Sequence, residues 1–227
     1  HLSYLVVPPT NIDEVSLVPE MPFIAPASLA DLTQTICKRE FALNTITPDA
    51  PTLPGTSGPC ISEVWGQQRA KRALTIAAAG GHNLLMVGPP GCGTSMLAER
   101  FPSLLPTLTE KQRLTATKIH SLAGLPLEGI LAGMPPFRAP HHVTSEVGLI
   151  GGGSTPRPGE ISLAHHGVLF LDEFPEYRRA AIEALRAPLE NGKVLITRAR
   201  CSMEFPARFQ LIGAMNPCPC GRLGSDG

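Results

Sequence analysis

Eight consecutive residues, Gly88-Pro89-Pro90-Gly91-Cys92-Gly93-Thr94-Ser95, could hold the phosphates of a nucleotide. They fit G-x-x-x-x-G-K-[ST], a loop whose backbone N–H groups cradle phosphate, at every fixed position but one. Gly88, Gly93 and Ser95 are in place; Thr94 stands where the template has lysine. Gly91 and Gly93 let the backbone approach an anion closely, and the Ser95 hydroxyl can ligate Mg2+. Candidate phosphate contacts therefore run through Gly88, Pro89, Pro90, Gly91, Cys92, Gly93, Thr94, Ser95 and Met96. Thr94 offers one neutral hydrogen bond and no charge, and a charge-assisted bond is roughly twice as strong. Nucleotide binding is expected to weaken and hydrolysis to weaken more, because charge developing in the transition state loses its cation. The bland alternative is a Gly/Pro turn with no ligand.

A second constellation follows the apolar run Val168-Leu169-Phe170-Leu171, which ends in Asp172-Glu173. A buried strand ending in two acids puts both carboxylates at the carboxyl edge of a sheet, where ligands bind in open α/β folds. Asp172 would hold Mg2+ through water, and Glu173 would polarise an attacking water. By itself the pair could equally be a solvated strand end. Asn216, after the apolar run 209–213, could orient the same water, or could simply open an Asn-Pro turn.

These groups need elements to carry them. Gln67–Ala79 reads as an Ala-rich helix with Ala70, Ala73, Leu74 and Ala77 on one face, ended by Gly80-Gly81. Asn83–Val87 reads as a strand running straight into Gly88, and a helix is expected from Thr94 to about Arg100. This strand–loop–helix order is the context the phosphate loop requires. A helix fits Glu110–Ala123, and residues 124–160, rich in Gly and Pro, read as loop with short strands. Arg178–Asn191 reads as one helix with Ile182, Leu185 and Leu189 facing inward and Pro188 kinking its end. Val194–Thr197 and Ser202–Phe205 flank a basic turn and read as a hairpin. Strands alternating with helices imply an α/β fold with a parallel sheet covered on both faces. Upstream, residues 1–36 read as a small αβ piece: strands at Tyr4–Val7 and Phe23–Ala25, a helix near Asn11–Ser16 and another from Ser28. Residues 41–60, with Pro48, Pro51, Pro54 and Pro59, read as a linker.

Bulk properties exclude several classes. Lys+Arg and Asp+Glu balance at 19 each, so there is no global basic footprint for nucleic acid. The apolar runs are too short to span a bilayer. Six cysteines without an even framework, and no secretory leader at the start, imply reduced thiols and a cytoplasmic protein. The first residue, His1, and the stop at Gly227 imply a fragment cut at both ends.

Four longer stretches carry a family resemblance: Gly80–Leu85, Pro136–His142, Pro158–Gly167 and Ala214–Gly221. Together they resemble the magnesium-chelatase-related AAA+ ATPases, in their competence-related ComM/YifB branch. The resemblance covers residues 61–227 densely, whereas residues 1–40 look like the end of that branch's Lon-protease-like N-terminal domain. It implies an AAA+ P-loop core, a parallel sheet between helices, here without its helical lid. ATP and Mg2+ are the implied cofactors. Asp172 and Glu173 would be the Walker B pair, Asn216 the sensor-1 residue, and Val64, Trp65 and Gly66 the adenine contacts. The family assembles as hexameric rings of identical subunits, and its ComM-type members are linked to branch migration of DNA in natural transformation. Glu160–His166 and Val194–Phe205 would then be elements pointing into the ring pore, with Lys193, Arg198 and Arg200 available for DNA phosphate; no membrane is implied. The chain departs from the pattern at Thr94 and in lacking the arginine-finger and lid regions.

His141-His142 and His165-His166 read as hydrogen-bonded structural or pore-loop residues rather than metal ligands, because neighbours on a strand point to opposite faces. Cys218-Pro219-Cys220 supplies two thiols where a structural zinc takes four ligands. Three functions remain open on the sequence: part of a ComM-type DNA motor, the ATPase subunit of a magnesium chelatase, and a non-catalytic nucleotide-binding module.

Overall fold

A computed structural model of the chain describes residues 4–18, 21–38, 43–44, 58–153, 156–198 and 201–218. Its centre is a four-stranded sheet in which every neighbouring pair is parallel. Across the sheet lie the loop strand Leu84–Val87, the strand Gln210–Met215, the acid strand Val168–Leu171 and an edge strand Phe137–Arg138. All four residues of the acid strand are buried, which explains why it reads as an unbroken apolar run. Val168 and Phe170 pack with Leu74, Leu97, Phe101 and Ile212 on one face, while Leu169 and Leu171 pack with Leu149, Ile161, Leu185 and Phe205 on the other. Each fully buried side chain of this size is worth about 1.5–3 kcal/mol relative to exposure, so the acid strand is the most firmly anchored support for the site.

The helix Gln68–Gly80 covers the first face with Leu74 and Ala77 and stops at Gly81, whose φ of 65° is the left-handed conformation expected of a glycine cap. Its last turn is tied to the sheet: Gln210 Nε2 donates to Ala77 O at 2.9 Å, and Leu211 N–H donates to Asn83 Oδ1 at 2.9 Å. Glu110–Ala123 is a helix as expected. Its limits are local: Thr109 and Gln112 exchange bonds as a capping box, and Gly124 ends the helix.

Three expectations needed correction. Residues 124–160 are not merely loop with short strands, since Glu128–Leu131 and Glu146–Ile150 are short helices. The span 178–191 is two helices, Arg179–Glu183 and Arg186–Asn191. Pro188 is buried within the second; its ring excludes the carbonyl of Ala184 four residues back, so the break falls before Pro188 rather than at the helix end. Leu189, expected inside, is exposed. The helix from Thr94 is as expected, running to Glu99 with Arg100 as its cap, and a 3-10 turn, Phe101–Leu104, follows it.

In the N-terminal piece, Leu5–Val6 pairs parallel with Phe23–Ile24, and a helix spans Leu29–Lys38. Most of the expected linker lies outside the described residues. Among the described residues, no helix is long and apolar enough to cross a membrane.

Candidate functional site

The phosphate loop begins where the loop strand ends. Gly88 N–H donates to Met215 O at 3.2 Å, so the loop is sewn to the strand beside it. A Cβ at Gly88 would lie 2.5 Å from Cys92 Sγ, so a side chain there would make the Cys92 thiol turn away. Gly91 and Gly93 have φ of 81° and 87°, left-handed values that few side chains tolerate. Cys92 N–H donates to Pro89 O at 3.2 Å, while Gln67 Nε2 holds Cys92 O at 2.9 Å from outside the loop. Among the described residues no hydrogen bond engages the N–H of Gly91 or Gly93. A curled backbone with free donors and no Cβ in the way suits a phosphate.

The acid pair meets this loop. Ser95 Oγ donates to Asp172 Oδ2 at 2.6 Å, across 77 residues of sequence. The other carboxylate oxygen, Oδ1, accepts from Glu173 N–H at 2.9 Å. A hydroxyl and a carboxylate at this distance are the hard oxygen donors Mg2+ takes, so the residues fit the ion. Glu173 has a left-handed backbone, φ 50°, and its side chain is 54% exposed, leaving the carboxylate accessible. Asn216 follows Met215 directly and is exposed. The registers Met215↔Val87 and Gly213↔Leu171 carry its strand end between the loop and the acid pair.

Sequence reasoning did not place His142 here. Its Nδ1 lies 2.9 Å from Glu173 Oε2. The edge strand Phe137–Arg138 delivers it, and the Tyr177 hydroxyl pins the intervening turn by donating to Pro140 O. Burial, together with the Asp172 and Glu173 charges, pushes the Tyr177 phenol up to about 12, so it remains a donor. The edge strand is itself held by Arg138, which donates to both oxygens of Glu160 at 2.6 and 2.8 Å. Nothing in the local pattern of residues 124–160 signals this delivery.

The remaining candidates are dispersed. Val64 is buried in the core with its carbonyl engaged by Lys71 Nζ, while Trp65 is 95% exposed and Gly66 has φ 71°. Thr94 and Ser95 are half-buried, and among the described residues no hydrogen bond engages the Thr94 hydroxyl. Met96 is exposed. In the hairpin, Lys193–Arg198 pairs with Cys201–Pro206. Lys193 is at its base, opposite Pro206, and its Nζ pairs with Glu204 at 2.8 Å. It is therefore not beside the tip, as the antiparallel register requires. Arg200 and Cys220 lie outside the described residues.

The sequence profile of the family "Magnesium chelatase, subunit ChlI" matches residues 60–227. The chain belongs to this family. Within it the chain is ComM/YifB-like. It is similar to competence protein ComM of Haemophilus influenzae, 46% identical over 220 residues covering 96% of this chain and 43% of that protein. It is similar also to YifB of Escherichia coli, 43% identical over 219 residues covering 96% of this chain and 42% of that protein. A 67 kDa magnesium-chelatase subunit of Chlorobaculum parvum is 27% identical over 162 residues, 69% of this chain and 23% of that protein. The chain thus spans less than half the length of these curated relatives.

The paired histidines of this family member do not point apart as neighbours on a strand would. They sit in turns, with ring centroids 4.1 Å apart for His141–His142 and 3.9 Å for His165–His166. His165 Nδ1 accepts from Arg208 N–H at 2.9 Å. Burial, then the neighbouring His166 and Arg208, lower its pKa from 6.5 to about 4. Unfolded, it takes a proton near 6.5; folded, not until about 4. The unfolded chain therefore binds more protons between these values, and stability, full above pH 6.5, falls with pH through that window by on the order of 1–3 kcal/mol. In His165→Asn the amide oxygen can replace Nδ1 as acceptor, so urea unfolding at pH 7 and pH 4.5 should show a smaller drop for the variant. An equal drop in both would assign the effect to other groups.

Proposed function

We propose that this ComM/YifB-like chain is an AAA+-type nucleotide-binding core that takes ATP with Mg2+ at Gly88–Met96. The observation carrying this reading is the 2.6 Å contact between Ser95 and Asp172, which joins a phosphate loop to an acid strand end. Ser95 and Asp172 would hold the ion, Asp172 through water, and Glu173 with Asn216 would orient an attacking water. Held there, Mg2+ would supply positive charge against the negative charge of the phosphates. The loop N–H groups bind the phosphates, and Trp65 is the exposed ring available to a base, whereas the Val64 side chain is committed to the core. Proteins of this type would form hexameric rings acting in DNA branch migration, with the hairpin Lys193–Pro206 toward DNA.

Thr94 favours a second reading for the chain itself: it binds nucleotide without turning it over. Equilibrium titration with labelled ATP and Mg2+, with hydrolysis followed in the same tubes, tests both. The expected result is roughly micromolar binding with turnover no faster than background, and weaker binding by Ser95→Ala. A folded chain showing no binding at millimolar ATP would overturn the nucleotide reading, whereas steady turnover would overturn the non-catalytic one.

A further inference from the structure

The loop's ligand class can be narrowed, on the reading that it is a nucleotide site. In the full template the loop backbone cradles the α- and β-phosphates, while the lysine reaches the β- and γ-phosphates. This chain keeps the first set and lacks the second. Gly91 and Gly93 present their N–H groups, and Ser95 and Asp172 are assembled at 2.6 Å. At the lysine position Thr94 brings no charge. Basic side chains on the neighbouring elements are engaged elsewhere. Lys71 Nζ is bonded to Val64 O, Arg100 is paired with Glu63 at 3.1 Å and with Met96 O, and His142 is turned to Glu173. Among the described residues no Lys or Arg side chain is bonded to loop residues 88–95.

The γ-phosphate would enter beside two carboxylates, Asp172 and Glu173, and among the described residues no Lys or Arg side chain is bonded to the loop there. With the Asp172 charge committed to Mg2+, the added negative charge of that phosphate meets the Glu173 carboxylate and, at position 94, a neutral hydroxyl in place of a cation. A diphosphate, by contrast, loses none of the contacts this chain retains. We propose that Gly88–Ser95 with Asp172 is a Mg2+–nucleoside diphosphate site, holding ADP at least as tightly as ATP. Thr94 is its specificity-determining residue.

The test is a set of four dissociation constants, for ADP and a non-hydrolysable ATP analogue, each with Mg2+, on the native chain and on Thr94→Lys. In the native chain the ADP constant should be equal to or below that for the analogue. Thr94→Lys should shift the ratio toward the triphosphate by roughly tenfold to a hundredfold, the worth of one hydrogen bond to a charged group. The native ratio decides the matter even if the variant does not fold. A native chain that binds the analogue tenfold more tightly than ADP sinks the diphosphate assignment and leaves the nucleotide site standing. Binding by Thr94→Lys alone does the same. If neither chain, each folded by circular dichroism, binds either nucleotide, the nucleotide reading itself falls.

Discussion

Exchange of Asp172 for Asn is expected to weaken Mg2+-dependent nucleotide binding roughly tenfold to a hundredfold, for diphosphate and triphosphate alike. The carboxylate is the charged half of the pair it forms with Ser95 at 2.6 Å, and a neutral amide cannot supply that charge to a divalent ion. The fold should survive, because an amide can satisfy both of the existing partners. Its oxygen can accept from Glu173 N–H as Oδ1 does now, and its NH2 can donate to Ser95 Oγ, which then acts as acceptor. Titration calorimetry with saturating Mg2+, beside a thermal melt of the unliganded protein, separates the two effects. Unchanged affinity in a folded Asp172→Asn chain would remove Asp172 from the metal site. A matching loss of melting temperature would instead make the carboxylate a structural anchor.

Gly167→Ala is expected to cost about 3 kcal/mol or more, lowering the melting temperature by roughly 6–12 °C. Gly167 is buried at the entry to the acid strand, and a Cβ there would lie 2.0 Å from Pro136 O and 2.8 Å from Pro136 C. Those are backbone atoms, so no side-chain rotation relieves the collision. The same carbonyl accepts Val168 N–H at 2.8 Å, starting the pairing of the edge strand with the acid strand. Pushing the two strands apart would also displace the turn that brings His142 to Glu173. A melting temperature within about 2 °C of the native chain would show that the edge strand can shift at little cost.

Much of the scaffold is legible in local sequence because its causes are local. The run Val168–Leu171 is apolar at every position, as a strand covered on both faces must be. Glu110–Ala123 carries its own capping box and terminal glycine, and the phosphate loop carries Gly91 and Gly93 at positions of left-handed φ. The split of 178–191 was also legible, since a proline excludes the carbonyl four residues earlier; the sequence reading placed its effect too late.

The chemistry that depends on distance was not legible in this way. Phe137–Arg138 is too short and too embedded in Gly and Pro to show a strand period; pairing to the acid strand and the Arg138–Glu160 bond make it one. His142 reaches Glu173 only because that edge strand exists, and Lys193 is at the hairpin base only because the register puts it opposite Pro206. By itself, then, the sequence determined which residues could bind phosphate and metal, and that the loop lacks its lysine, because these follow from residue type and local spacing. Only the tertiary structure decided which of them meet. Placing the strand 210–215 between the loop strand and the acid strand brings Ser95 to Asp172 and carries the strand end before Asn216 between the loop and the acid strand, and strand order is set by burial of whole faces, which no local period encodes.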